Sequence, residues 1–302
     1  MQMSLMEPAS LSPATADGAC SAPSLTVIQP RASWRALDLR DVWRYRELLY
    51  FLTLRDIKVR YKQTILGAAW AVIQPLTTTG VFVVIFGLIM GRGKEPTVPG
   101  TPYVLSTFCA MLAWQLFATS VNRSSNSLAM EQNLVAKVYF PRLILPLSSV
   151  LSGLIDFAIA SVVMGLLMVC YGVPPTWNAM FLPLFVLLTV IAALAIGLWL
   201  SVLGVIYRDF RYALPFLIQV AMYVSPVIYA TSVLKSALPR WLLMLYGLNP
   251  MVGVIEGFRW ALLGSADVPV KIFVVSTTMT LGLFVAGLYF FHRMQRSIVD
   301  VI

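Results

Sequence analysis

The sequence predicts an all-α integral membrane protein that crosses the bilayer several times. Three observations carry this. The 302 residues are 59% hydrophobic and only 12% charged, with a mean hydropathy of +0.82, whereas soluble domains carry about 25% charged residues. Six apolar segments each reach the roughly 20 helical residues that a hydrocarbon core requires. Backbone groups left unpaired in lipid are too costly, so these segments must be helices. Finally, four cations (Arg55, Lys58, Arg60 and Lys62) run straight into an apolar stretch that continues to Met90. A net charge of +9 would suggest nucleic acid in a soluble protein. Here the cations flank apolar spans, so they speak for topology and anionic headgroups instead.

Residues 1–33 are rich in Ser, Ala and Pro and have no continuous apolar core, so they read as a disordered cytoplasmic tail rather than a signal peptide. Residues 34–63 read as an amphipathic interfacial helix. Trp43, Tyr50, Leu54, Ile57 and Tyr61 fall on one helical stripe, and Arg55, Lys58 and Lys62 on another. Residues 64–302 form the transmembrane domain, with spans at about 65–90, 103–128, 143–171, 181–206, 214–233 and 270–292. With the N-terminus inside, sixteen of the 22 Lys and Arg residues lie on the cytoplasmic side. The positive-inside rule then puts both termini there. The segment 234–263 is broken by Pro239, Gly247, Asn249-Pro250 and Gly253. It reads as two short re-entrant helices at the outer face, tolerated where protein covers them. Glu256 and Arg259, three residues apart, are placed for a local ion pair. The GxxxG runs Gly87–Gly91 and Gly253–Gly257 mark two places for close helix contact.

Catalytic chemistry is not apparent. There are thirteen acidic residues, and only Asp156 sits mid-span. It is either a functional membrane carboxylate or one hydrogen-bonded to Ser or Thr on a neighbouring helix, and the second reading weighs more because no His or Lys accompanies it. Cys20, Cys109 and Cys170 have no metal-ligand spacing, and the single His292 reads as an interfacial side chain, so no catalytic or metal residue is assigned. The stretch Gly87 to Glu95 superficially looks like a phosphate loop, but its spacing is too long and Glu95 stands where Ser or Thr is needed. The chain therefore binds no cofactor of its own, and a partner must supply the energy. The connection 129–142 suits that partner: Leu134, Val135, Val138 and Tyr139 form an apolar face, with Glu131 and Lys137 as polar handles and a helix up to Pro141. Its alternative is a plain interfacial loop. The outer-half aromatics, among them Trp114, Phe117, Tyr223, Tyr229 and Trp241, fit either an interfacial belt or a carbohydrate-stacking channel.

Four stretches then coincide: RYKQTILGAAWAVIQP (60–75), LVAKVYFPRLILP (134–146), YRDFRYALPFLIQVAMYVSPVIYA (207–230) and LNPMVGVIEGFRWALLG (248–264). Together they resemble the permease subunit of type-2 ABC transporters that export polysaccharide, the exporters of O-antigen, teichoic acid and capsule glycans. The resemblance covers about residues 34 to 302. It implies a non-enzymatic homodimer in the bacterial inner membrane, paired with two ATPase subunits that hold ATP and Mg. The substrate it implies is a glycan on undecaprenyl diphosphate, most readily O-antigen. By matching position, coupling to the ATPase falls on Glu131, Gln132, Leu134, Val135, Lys137, Val138 and Tyr139. The entrance for the lipid diphosphate falls on Arg55, Lys58, Arg60 and Lys62, although Arg60 and Lys62 could equally anchor the helix. Glycan contacts along the channel fall on Gln74, Thr78, Trp114, Phe117, Asn122, Tyr223 and Tyr229, and an outer gate on Trp241, Asn249, Glu256 and Arg259. A teichoic acid or capsule exporter is the near alternative. A small-molecule efflux permease or a membrane-embedded glycolipid enzyme lies further off, the latter for want of a cluster of acids.

Overall fold

A computed structural model describes residues 39–62, 67–91, 98, 100–229, 231, 239–264 and 270–301. The tail 1–33 lies outside the described residues. Among those described, all regular structure is helical. Helices α1 (Leu39–Arg44) and α2 (Arg46–Lys62) form the N-terminal arm. Helix α3 (Trp70–Phe82) carries Pro75 inside it and continues as a π-helical stretch, Val83–Ile89. The missing Pro75 donor and the wider final turns make this the least regular of the long helices. Helix α4 (Tyr103–Met130) is the axis of the fold and is buried along most of its length. A turn at Glu131 separates it from the short α5 (Gln132–Lys137). There follow α6 (Ile144–Cys170), α7 (Leu182–Ile206), α8 (Asp209–Val224), α9 (Arg240–Gly247), α10 (Pro250–Leu263) and α11 (Val270–Val301). Helix α4 packs against α3, α6, α7, α8 and α10, and α11 lies along α7.

Among the described residues, five helices are long and apolar enough to cross a membrane: Trp70–Ile89, Tyr103–Met130, Ile144–Cys170, Trp177–Ile206 and Val270–Met294. They match five of the six spans expected from sequence. The remaining one is drawn differently. Helix α8 starts earlier, at Asp209, and stops at Val224, so its 16 residues reach about 24 Å. The stop has a local cause. Ser225 precedes Pro226 and is extended, with φ −87° and ψ 155°, because the proline ring disfavours a helical residue before it. Helices α9 and α10 meet at 86°. Asn249 sits at the corner, its side chain accepting from the Met251 N–H while Pro250 opens α10, a capped start with proline at the first helical position.

The N-terminal arm has a second apolar side besides the expected interfacial stripe. Tyr45, Leu48, Leu49 and Leu52 face the body of the protein, packing with Leu128, Ile144, Leu198 and Phe291. Trp43 and Tyr50 are exposed, 70% and 67%. The arm is therefore apolar on two sides, one against protein and one outward. Helix α5 also ends at Lys137, with Val138 extended, four residues short of Pro141.

The Gly253–Gly257 run is a close contact, as its pattern suggested. A Cβ at Gly257 would lie 2.1 Å from the Phe185 ring on α7, and one at Gly253 would lie 2.8 Å from Ser276 Cβ on α11. Gly91 has open space around it and φ +71°, so the other run serves a turn at that end. Small residues replace hydrophobic drive where helices pack in lipid. Gly257→Leu is expected to cost about 1–3 kcal/mol by overpacking, seen as a lower thermal midpoint of the purified protein. Gly165→Ala, which adds a methyl into open space, should leave that midpoint unchanged.

Candidate functional site

The arm α2 is tied to the body at two points, each an ion pair. At the first, Arg55 grips Glu131 in the turn before α5: Nη2 donates to Oε1 at 2.5 Å and Nη1 to Oε2 at 3.3 Å. A further Nη2 bond reaches Asp56 at 3.1 Å. Burial works against the Arg55 charge, but hydrogen bonds to Glu131 and Asp56 outweigh it, and its pKa lies above the ordinary arginine value. Forked guanidinium–carboxylate pairs add geometry as well as energy.

At the second point, three side chains from two helices converge on Asp156 of α6. Arg60 Nη1 donates to Oδ2 at 2.5 Å, and Arg123 of α4 donates from Nη2 to the same oxygen at 2.9 Å. The Tyr61 hydroxyl donates to Oδ1. Arg60 Nη2 also reaches Ser152 Oγ at 3.3 Å. Burial, then the bond to Asp156, push the Tyr61 hydroxyl up from its ordinary value, so it stays a protonated donor. Among the described residues, two guanidiniums stand against one carboxylate here. The cluster lines a cavity of about 150 Å³ walled by Trp70, Gln74, Gln115 and Thr119, among others. Arg123 Nη1 is buried and has no hydrogen-bond partner among the described residues.

This arrangement recasts Asp156. Its partners are two arginines and Tyr61, not the Ser and Thr neighbours favoured from sequence, although Ser152 stands beside Arg60. By sequence, Tyr61 belongs to the aromatic stripe of the arm and Arg123 to the polar end of the second span. Charges of opposite sign inside separate membrane spans seek each other, so Arg123 and Asp156 could have been paired on that rule alone.

Of the four entrance cations, Lys58 and Lys62 are exposed, whereas Arg55 and Arg60 are held in ion pairs. In the coupling stretch, Gln132, Lys137, Val138 and Tyr139 are exposed. Leu134 and Val135 turn inward against the second core cluster, so the expected single apolar face is divided. Among the channel residues, Gln74 is exposed and lines the cavity, Tyr223 is exposed, and Thr78 and Asn122 are half-buried. Trp114 and Phe117 are 3% and 5% exposed within this chain and pack in its core, their rings tilted at 50° with centroids 5.3 Å apart. Helix α4 is surrounded on nearly every side, so its aromatics fill the core of the fold. Tyr229 bonds through its hydroxyl to the Val224 carbonyl at 3.1 Å. At the bend between α9 and α10 Trp241 is exposed, but Glu256 and Arg259 are buried and pair at 3.2 Å. They lock α10 in place instead of presenting a mobile surface.

Comparison with known proteins gives this geometry its setting. Residues 47–263 match the family model described as ABC-2 type transporter. The chain belongs to the ABC-2 type transporter family. It is 30% identical over 221 residues to the O-antigen export system permease protein RfbA of Myxococcus xanthus, covering 73% of this chain and 82% of that one. It is 28% identical over 214 residues to RfbA of Klebsiella pneumoniae, covering 70% and 79%. Against the polysialic acid transport protein KpsM of Escherichia coli it is 26% identical over 219 residues, covering 70% and 80%. As a multi-pass ABC-2 protein, it holds both ion-paired clusters within the matched stretch, since Arg55, Arg60, Arg123, Glu131 and Asp156 all fall between residues 47 and 263.

Proposed function

We propose that this chain is the membrane permease of an ATP-driven polysaccharide exporter, most readily one for O-antigen. The likeness to the Myxococcus xanthus O-antigen permease carries the reading, because it spans 73% of this chain and 82% of that one. Energy comes from a separate ATPase, two copies to a permease homodimer, which hold the ATP and Mg. The exposed ends of α5 and the residues after it, Gln132, Lys137, Val138 and Tyr139, are the surface offered to that ATPase. The substrate is a glycan on a lipid diphosphate, met at the basic end of α2 where Lys58 and Lys62 are exposed. The protein sits in the bacterial inner membrane with both termini cytoplasmic, and α8 completes a sixth crossing. Its exposed face of Phe216, Leu217, Val220 and Tyr223 is available to the second protomer, with Gln74, Thr78, Asn122 and Tyr223 as the remaining glycan contacts.

The test pairs a deletion with a reconstitution. Removing the gene should abolish surface polysaccharide while lipid-linked glycan accumulates inside. The purified chain should hydrolyse no ATP alone and should stimulate its cognate ATPase once the two are combined. Surface glycan that is unchanged in the deletion strain would end the proposal. A second reading, capsule export, is favoured by the KpsM likeness. It is separated by which surface polymer is lost.

A further inference from the structure

We propose that Arg60 and Arg123 form a two-armed seat for a lipid-borne diphosphate, and that the Asp156 carboxylate is a resident counter-ion which that phosphate displaces. The inference rests on the glycolipid reading above and deepens it: Arg60 belongs to the expected entrance, whereas Arg123 and Asp156 have no role in that reading.

The geometry supports the seat in four ways. Both guanidiniums donate to one oxygen, Asp156 Oδ2, at 2.5 and 2.9 Å, so they already converge on the spacing of a single anionic group. Guanidinium forks match phosphate oxygens as well as they match a carboxylate. Among the described residues the cluster sets two guanidiniums against one carboxylate, more cation than an isolated structural ion pair needs. Arg123 Nη1 is buried without a partner among the described residues, a donor held ready at real cost. The adjoining cavity of about 150 Å³ is several times the ~30 Å³ share of one water molecule. It is walled by Gln74, Gln115 and Thr119, which can bond to further phosphate oxygens.

Asp156 makes the seat reversible. A bare pair of arginines at this depth would be costly and would hold a diphosphate too firmly to release it. With the carboxylate in place the empty seat is neutralised, and the phosphate must compete for both guanidiniums. Tyr61 can stay on Oδ1 throughout and keep Asp156 from drifting away.

The experiment uses the full-length protein in nanodiscs, with a synthetic polyprenyl diphosphate as the probe and phosphatidylglycerol and inorganic pyrophosphate as comparison arms. Asp156→Asn should bind the polyprenyl diphosphate at least fivefold tighter, and Arg123→Gln at least tenfold weaker. Unchanged binding in both variants overturns the proposal. Should Asp156→Asn fail to fold, Arg123→Gln decides alone, since it leaves the Arg60–Asp156 pair intact. Equal sensitivity with phosphatidylglycerol would overturn the diphosphate assignment, and equal sensitivity with pyrophosphate would overturn the lipid-borne one. Binding is read in vitro and the export reading is tested by surface polysaccharide in cells, so either can fail without the other.

Discussion

Arg259→Met should destabilise the protein by about 3–5 kcal/mol, the cost of removing one member of a buried charge pair. The side chain is 1% exposed and joins three segments. Its Nη1 donates to Glu256 Oε1 and to the Tyr229 carbonyl, both at 3.2 Å; Nη2 donates to the Val227 carbonyl at 3.0 Å; Nε reaches the Ser106 carbonyl at 3.5 Å. Helix α10 is thereby fastened to α4 and to the turn that follows α8. Glu256 takes two more bonds from the Thr231 N–H and hydroxyl, at 2.9 and 2.7 Å. Without Arg259 that carboxylate keeps its burial and loses its cation. The apparent thermal midpoint in detergent should fall on the order of 10 °C. Glu256→Gln combined with Arg259→Met should recover part of the loss, because the uncompensated charge is gone. Arg259→Lys should not, since an ammonium cannot reach three carbonyl directions from one planar fork. A midpoint lowered by less than about 2 °C in Arg259→Met would show that the network contributes little.

This network also shows what sequence can and cannot disclose. The Glu256–Arg259 pair was legible because both residues lie on one helix, three apart. Its burial was not, because the partners Ser106, Val227 and Tyr229 come from distant stretches. The five long spans were legible from hydropathy, which is summed along the chain and needs no tertiary information. The true end of α8 was in principle legible too, in the Ser225-Pro226 pair, but apolar residues beyond it drew the span onward. Spacing pointed to an interfacial face carrying Trp43 and Tyr50, and both are exposed. The second apolar side of the arm, where Leu48, Leu49 and Leu52 pack towards α6, needed the tertiary structure to be seen. The Asp156 cluster joins residues 96 and 33 positions apart. Its charges were visible individually and their convergence was not. The burial of Trp114 and Phe117 was illegible for a related reason: aromatic content marks a helix as rich in rings without saying whether they face a channel or the core.

The Arg55–Glu131 contact leads to the other large effect, this one on transport. Its stability contribution is small, since the two side chains are 35% and 28% exposed and such pairs yield about 0–1 kcal/mol. Its position is what matters. Glu131 occupies the turn that begins the stretch proposed to meet the ATPase, and Arg55 lies five residues, about 7.5 Å of helix, before Arg60 and the Asp156 cavity. A displacement of α5 therefore reaches the cavity through one rigid helix held at both ends. Arg55→Glu and Glu131→Arg should each reduce surface polysaccharide about tenfold, within the usual range of coupling between two sites, while membrane abundance stays normal. The combined swap should restore most of it. Recovery will be incomplete, because Arg55→Glu sets a carboxylate beside Asp56, which now takes a 3.1 Å bond from Arg55. Glu131→Ala should be milder than Glu131→Arg for the same reason, since Asp56 still holds Arg55. Singles that lose export with a swap that fails to rescue would mean that each residue acts separately. Singles that export normally would remove α2 from the coupling path altogether, and would leave the Asp156 cavity to be opened by α6 or α4 instead.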